Sequence, residues 1–231
     1  MNLKSETSHL PYKLKICGLT KPEQIRELIS LKTDFLGFIF YEKSPRYVLN
    51  HLKPEDIAEI GHTGKTGVFV NEKTDIITDI ADRAGLNLIQ LHGDENEHFM
   101  IELKQKLRQD VKIIKVIRIG GTDQETTKKI EDMIHSHLSI ADYLLFDTDS
   151  RAFGGTGKQF DWNILNDINI PVPYFLSGGI SEENIENIRF LNHRPFAVDI
   201  NSKFEIAPGN KDLEKIKKFI SKETKEIIKN K

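Results

Sequence analysis

Along the chain, short apolar runs rich in Ile, Leu, Val and Phe recur between longer stretches whose apolar positions fall at helical spacing. The runs LKIC at 14–17, FLGFIF at 35–40, TGVFV at 66–70 and LNLIQL at 86–91 read as strands, as do KIIKVI at 112–117, YLLF at 143–146, PYFLS at 173–177 and FAVDI at 196–200. Their near-continuous apolar character suits a parallel sheet covered on both faces. A helical stretch follows each run. The first has Thr20 as the expected N-cap, Pro22 in its first turn and Glu23 three residues after the cap. The second opens at Pro54 and Glu55. The others are expected over 74–84, 95–107, 123–137, 161–168 and 182–191, and from Lys211 onward.

Strict strand–helix alternation argues for a parallel sheet with helices outside. Eight units favour closure: an α/β fold, a (β/α)8 TIM barrel in a single domain. An open doubly wound sheet would usually carry a Gly-rich loop after its first strand, whereas the first turn here, CGLTKPEQ, has one glycine. No linker divides the chain. Residues 1–12 read as a polar extension, and residues 13–231 as the barrel with its catalytic site.

The 231 residues, 38% hydrophobic and 29% charged, fit a soluble globular chain of this size. A net charge of -2 gives no global reason to bind nucleic acid or an anionic membrane. The stretch 210–231 carries eight Lys against four acids, the usual mark of a solvated terminal helix. One cysteine forbids an intramolecular disulfide and fits a reducing compartment. No apolar run approaches the roughly 20 residues of a membrane span, and the N-terminus lacks a secretory apolar core. A cytoplasmic enzyme is the expectation.

In such barrels chemistry gathers at the C-terminal ends of the strands. Cys17 ends the first; Lys43 and Arg46 follow the second; Asn71 follows the third, and His92 with Gly93 the fourth. Arg118 ends the fifth, Asp147 the sixth, Ser177-Gly178-Gly179 the seventh, and Asp199, Asn201 and Ser202 the eighth. A strand cysteine is more often a small buried hydrophobe, but a thiolate at the barrel mouth can take a proton or attack carbon. Asp147, ending an apolar strand, is placed to have a raised pKa and act as an acid. His92 reads first as a hydrogen-bonded residue of the mouth. SGGISEEN, with Ser181 as expected N-cap, offers free N–H groups at a helix start, and phosphate sites after strands seven and eight recur in barrels. The long glycine-rich loop after strand six, with Gly154, Gly155 and Gly157, reads as a mobile lid. Its GGTGK lacks P-loop spacing. Neither a Cys pair nor HExxH is present, so no metal site is expected.

Together, KICGLT, GFIFYEKSPRYV, GVFVN, LIQLHGDE, LLFDT, GGTGKQFDW, LSGGISEENI, PFAVDINSKFE and PGNKD resemble the phosphoribosylanthranilate isomerase family over about nine tenths of the chain. The resemblance implies an Amadori rearrangement in tryptophan biosynthesis, with a phosphorylated small-molecule substrate and no cofactor. It assigns Cys17 as general base and Asp147 as general acid. It gives Arg46 the anthranilate carboxylate, and Gly178, Gly179, Asn201 and Ser202 the phosphate; His92 and Asp199, at the same strand ends, complete the expected substrate-binding set. The implied assembly is a monomer or weak homodimer. One departure stands out: Asn201-Ser202-Lys203 where the family usually reads Ser-Ser-Gly. Another phosphosugar barrel would be expected to carry a lysine or a carboxylate pair at the ends of strands one and two. A non-catalytic binding barrel would be expected to lack Cys17 or Asp147.

Overall fold

Eight parallel strands pair in chain order and close on themselves. The computed structural model describes residues 10–121, 124–149 and 160–229. The strands are β1 Lys13–Ile16, β2 Phe35–Ile39, β3 Lys65–Phe69, β4 Leu88–Leu91, β5 Lys112–Ile119, β6 Tyr143–Thr148, β7 Tyr174–Leu176 and β8 Ala197–Ile200. Closure runs through β1 and β8, in register from Lys13↔Ala197 to Ile16↔Ile200. The expected (β/α)8 barrel is the fold observed.

Side-chain alternation along each strand divides the apolar residues between two cores. Leu14, Ile16, Leu36, Phe38, Phe69, Ile113 and Phe146 point outward and join Ile25, Leu28, Ile77 and Leu103 of the surrounding helices in one large cluster. Inside, Leu88, Ile114, Val116, Leu145, Phe175 and Ala197 fill the barrel, with Phe35, Tyr143 and Phe196 packed against them. Phe35 and Tyr143 begin their strands and Phe196 precedes β8. Ring centroids of Phe35 and Phe175 lie 5.1 Å apart, and those of Tyr143 and Phe196 5.2 Å apart. Aromatic rings therefore plug the N-terminal end, and polar chemistry is left to the opposite mouth.

Helices α1 Pro22–Ser30, α2 Pro54–Ala58, α3 Thr74–Arg83, α4 Glu97–Lys106, α5 Gln124–His137 and α6 Leu213–Lys229 cover the sheet. Several starts differ from expectation. Lys21, not Thr20, is the N-cap of α1; Thr20 is buried and donates to the Gly209 carbonyl at 2.7 Å. Asn96 caps α4 by accepting from Phe99 N–H at 2.9 Å, because Glu95 is used elsewhere. Lys211 does not open the last helix. It lies in a hairpin of β9 Glu205–Ala207 and β10 Asn210–Lys211, which the sequence pattern did not show.

The sixth and seventh helices are instead 3-10 turns of six residues each, Trp162–Asp167 and Ile185–Phe190. Both segments are rich in Asn and Asp, whose side chains compete for backbone groups. Asp161 accepts from Asn163 N–H at 3.0 Å, and Asn184 accepts from Ser181 N–H at 2.8 Å while donating to the Gly179 carbonyl at 2.9 Å. Such short segments do not recover the cost of nucleating an α-helix.

Candidate active site

β1 places Lys15 and Cys17 two residues apart, and so on the same inner face. Cys17 sits at the mouth, 5% exposed, packed on Ile39 and Val68 with Tyr41 alongside. Gly37 of β2 makes room for it. A Cβ there would stand 2.8 Å from the thiol sulfur and 2.9 Å from Cys17 Cα, closer than atoms can pack. Burial pushes the Cys17 thiol up, while the charges of Lys15 and Lys211 pull it back down.

Asp147, one residue before the end of β6, lies on the same mouth. Its Oδ1 accepts from Thr148 N–H at 2.8 Å. Burial pushes its carboxyl up to about 7, with the charge of Asp199 adding to the effect and Lys15 and Arg118 opposing it. Gly178, at φ +83°, leaves space beside it: a Cβ would stand 3.1 Å from Asp147 Oδ1 and 2.5 Å from Thr148 Oγ1.

His92 follows β4, its Nε2 3.5 Å from Asp147 Oδ2. Burial, and the nearby positive charges of Lys15, Arg118 and Lys115, push the imidazole down to about 3. His92 is therefore neutral wherever Asp147 is ionised, and the two do not form an ion pair near neutral pH. Gln90 Nε2 donates to His92 Nδ1 at 3.1 Å, which leaves the ring proton on Nε2, the nitrogen nearest Asp147.

Arg46 is 7% exposed, and its guanidinium is forked onto Glu205: Nε at 2.9 and 3.0 Å, Nη2 at 2.7 Å. Lys211, 1% exposed, joins them, its ammonium 2.7 Å from Glu205 Oε1 and 2.8 Å from Asn201 Oδ1. The Asn201 carbonyl oxygen is thus turned inward, and what Asn201 can offer an anion is backbone. Asp199, on the inner face of β8, takes the Lys15 ammonium on Oδ2 at 2.7 Å, while its buried Oδ1 has no partner among the described residues.

After β7 the expected helix start is absent, so the Ser181 cap is corrected. Ser181 N–H is bound by Asn184 and is not free for an anion. The Gly178 and Gly179 N–H groups, at φ +83° and +72°, make no hydrogen bond among the described residues. A 3-10 turn, Ser202–Phe204, begins the neighbouring loop after β8. Asn71, expected at the mouth, is a loop brace: its side chain accepts from Asp94 N–H at 2.7 Å and its own N–H donates to Glu95 at 2.8 Å. Arg118 pairs with Asp94. The proposed lid, with Gly154, Gly155 and Gly157, lies outside the described residues. The segments flanking it are tied by Phe160 N–H donating to Thr148 Oγ1 at 3.1 Å.

Five ionisable groups went unread in the sequence. Lys15, Glu205 and Lys211 belong to the networks above. Glu95, with its partner Lys115, forms a buried pair at 2.9 Å that also holds the Gly93 loop before α4. The one signal was parity: Lys15 is two residues before Cys17, on the inward face of its strand, whereas Lys115 shares the outward parity of Ile113 and Ile117 and gave no such signal.

A closed barrel whose mouth carries a buried thiol and a carboxyl tuned near neutrality defines a class, the (β/α)8-barrel enzymes. Within it, the family model for N-(5'-phosphoribosyl)anthranilate (PRA) isomerase matches residues 14–222, and the chain belongs to that family. It is an isomerase of tryptophan biosynthesis. The N-(5'-phosphoribosyl)anthranilate isomerase of Parabacteroides distasonis is 38% identical over 211 residues, 90% of this chain and 91% of that one. A structure of mutually generated monomers of the dimeric phosphoribosylanthranilate isomerase of Thermotoga maritima is 30% identical, with a TM-score of 0.71 over 93% of this chain and 98% of that one. A phosphoribosylanthranilate isomerase solved with reduced 1-(o-carboxyphenylamino)-1-deoxyribulose 5-phosphate is 33% identical, with a TM-score of 0.67 over 91% and 97% of the two chains. No described helix is long and apolar enough to cross a membrane.

Proposed function

We propose that the chain converts N-(5-phosphoribosyl)anthranilate into 1-(2-carboxyphenylamino)-1-deoxyribulose 5-phosphate, with Asp147 as general acid and Cys17 as general base. The observation that carries this reading is the pair itself: a carboxyl raised to about 7 and a buried thiol, on β6 and after β1, facing one barrel mouth. Asp147 protonates the furanose ring oxygen, the ring opens, and the anthranilate nitrogen becomes a Schiff base. The imine acidifies the adjacent C2–H. Cys17 takes that proton, the electron pair moves into the C1–C2 bond, and an enolamine forms. Tautomerisation of its C2 hydroxyl gives the ketone. Two positioned proton carriers are worth roughly 10²–10⁴ each in rate, and no step calls on a cofactor.

The substrate's two anions suit the two ends of the mouth. Glu205 occupies the Nε–Nη2 edge of Arg46, so the anthranilate carboxylate docks on the outer edge, through Nη1. The phosphate lies over the N–H groups of Gly178 and Gly179 and of the turn at Asn201 and Ser202, a backbone nest for an anion. Neutral His92 orients the acid, and Asp199 Oδ1 accepts from a substrate hydroxyl. The related barrel solved with the reduced product supports a ligand bearing both anions. A cytoplasmic place of work and a monomer or weak homodimer complete the proposal.

The test is direct. Substrate is generated in the cuvette from anthranilate and phosphoribosyl pyrophosphate by the preceding transferase, and the decay of its fluorescence is followed. The protein should accelerate that decay catalytically. Decay at the spontaneous rate would end the proposal.

A further inference from the structure

Lys15 is fully buried inside the barrel, and no step above uses it. Desolvating an ammonium costs several kcal/mol unless it is paired, so its presence needs a reason. Asp199, its register partner across the β1–β8 seam, supplies part of one. The Nζ–Oδ2 distance is 2.7 Å. That bond uses one of three N–H groups. Cys17, two residues along on the same face, is the next group on which the Lys15 charge acts. A pair serving stability alone would be expected to have both carboxylate oxygens satisfied, yet Asp199 Oδ1 is buried and has no partner among the described residues.

We propose that Lys15 is a positioning residue for the isomerisation: its ammonium, anchored by Asp199, is the counter-charge that lets Cys17 exist as a thiolate inside the barrel. This deepens the reading of Cys17 as base and rests on it. The arrangement is graded. Asp199 draws the ammonium away from the sulfur, so the thiolate receives part of its charge. Other groups bear on the sulfur too: Lys211 from the hairpin and Tyr41 after β2; His92, Arg118 and Asp147 stand together elsewhere on the mouth. Of the charges acting on Cys17, Lys15 is the largest, Asp199 opposes it, and Lys211 follows.

Cys17 is the only cysteine, so its ionisation can be read from thiolate ultraviolet absorbance against pH, with Cys17→Ala as the blank. Lys15→Met keeps the length of the side chain and removes the charge. It should raise the Cys17 midpoint by about one unit or more. Asp199→Asn should move the midpoint the other way, because the ammonium then turns to the sulfur. Opposite signs are what a merely structural pair would not produce. If Lys15→Met does not fold, Lys15→Met/Asp199→Asn leaves no unpaired charge and should still titrate above wild type. At pH 7, kcat should fall about tenfold per unit of midpoint, with KM held. A midpoint at or below wild type in folded Lys15→Met, or in the double variant, would overturn the proposal. If the midpoints move as stated and kcat does not follow, the counter-charge stands and it is the base assignment that fails.

Discussion

At the scale of single residues, the site turns on two titrations set against expectation. Asp147 is raised by burial to about 7, and Cys17 is raised above its usual value. Between the two midpoints the enzyme holds one proton for both groups. Most of the time that proton is on sulfur; the proposed mechanism needs it on Asp147, with the thiolate left free. Such coupled groups show the pair's macroscopic pKa values in kinetics. With rising pH, kcat/KM should therefore climb until the doubly protonated form is lost near 7, hold level, and fall above the thiol midpoint. A pH series of initial rates checks this. A lower limb near about 4, the ordinary carboxylate value, would show that Asp147 does not govern it. Cys17 and Asp147 were legible because each ends an apolar run, where barrel packing gives way to loops. Lys15 was not. A lysine ordinarily reads as surface, and the Asp199 that holds it is 184 residues away.

Elements decide how tightly those residues can be held. β2 passes Cys17 with no side chain at Gly37, and that close approach fixes the sulfur in the mouth. Gly37→Ala forces atoms 2.8–2.9 Å apart. It should cost about 1–3 kcal/mol in denaturant unfolding, as overpacking does, and lower kcat more than KM. Unchanged stability and kcat would show that the strand yields and that the sulfur is not held by β2. Strand positions were readable because a sheet buried on both faces writes long apolar runs. Element starts were less so. Thr20 looked like a cap but bonds Gly209, and the Asn-rich stretches after β6 and β7 fold as 3-10 turns. The hairpin carrying Glu205 and Lys211 has no periodicity to read. It nonetheless holds Arg46, the residue whose guanidinium the resemblance assigned to the anthranilate carboxylate.

The whole molecule is asymmetric along the barrel axis. Aromatic rings close the N-terminal end, an ion pair of Lys15 and Asp199 lies within, and Cys17 and Asp147 line the mouth. Fold and family were both legible in the order of motifs, since eight strand ends in sequence must meet at one rim once the sheet closes. How the charges at that rim neutralise one another was not, because Lys15 and Asp199 lie 184 residues apart in the chain and Arg46 and Glu205 lie 159 apart. The central claim is that Cys17 and Asp147 move the protons. The most direct measurement is kcat for Cys17→Ala and Asp147→Asn in the fluorescence assay, with each variant's fold checked by circular dichroism and its affinity for the reduced product analogue determined. The account predicts a loss of at least roughly 10² in kcat for each, with analogue binding retained. A folded variant of either kind that keeps more than about a tenth of wild-type kcat would contradict it, since loss of a general acid or base cannot be so mild.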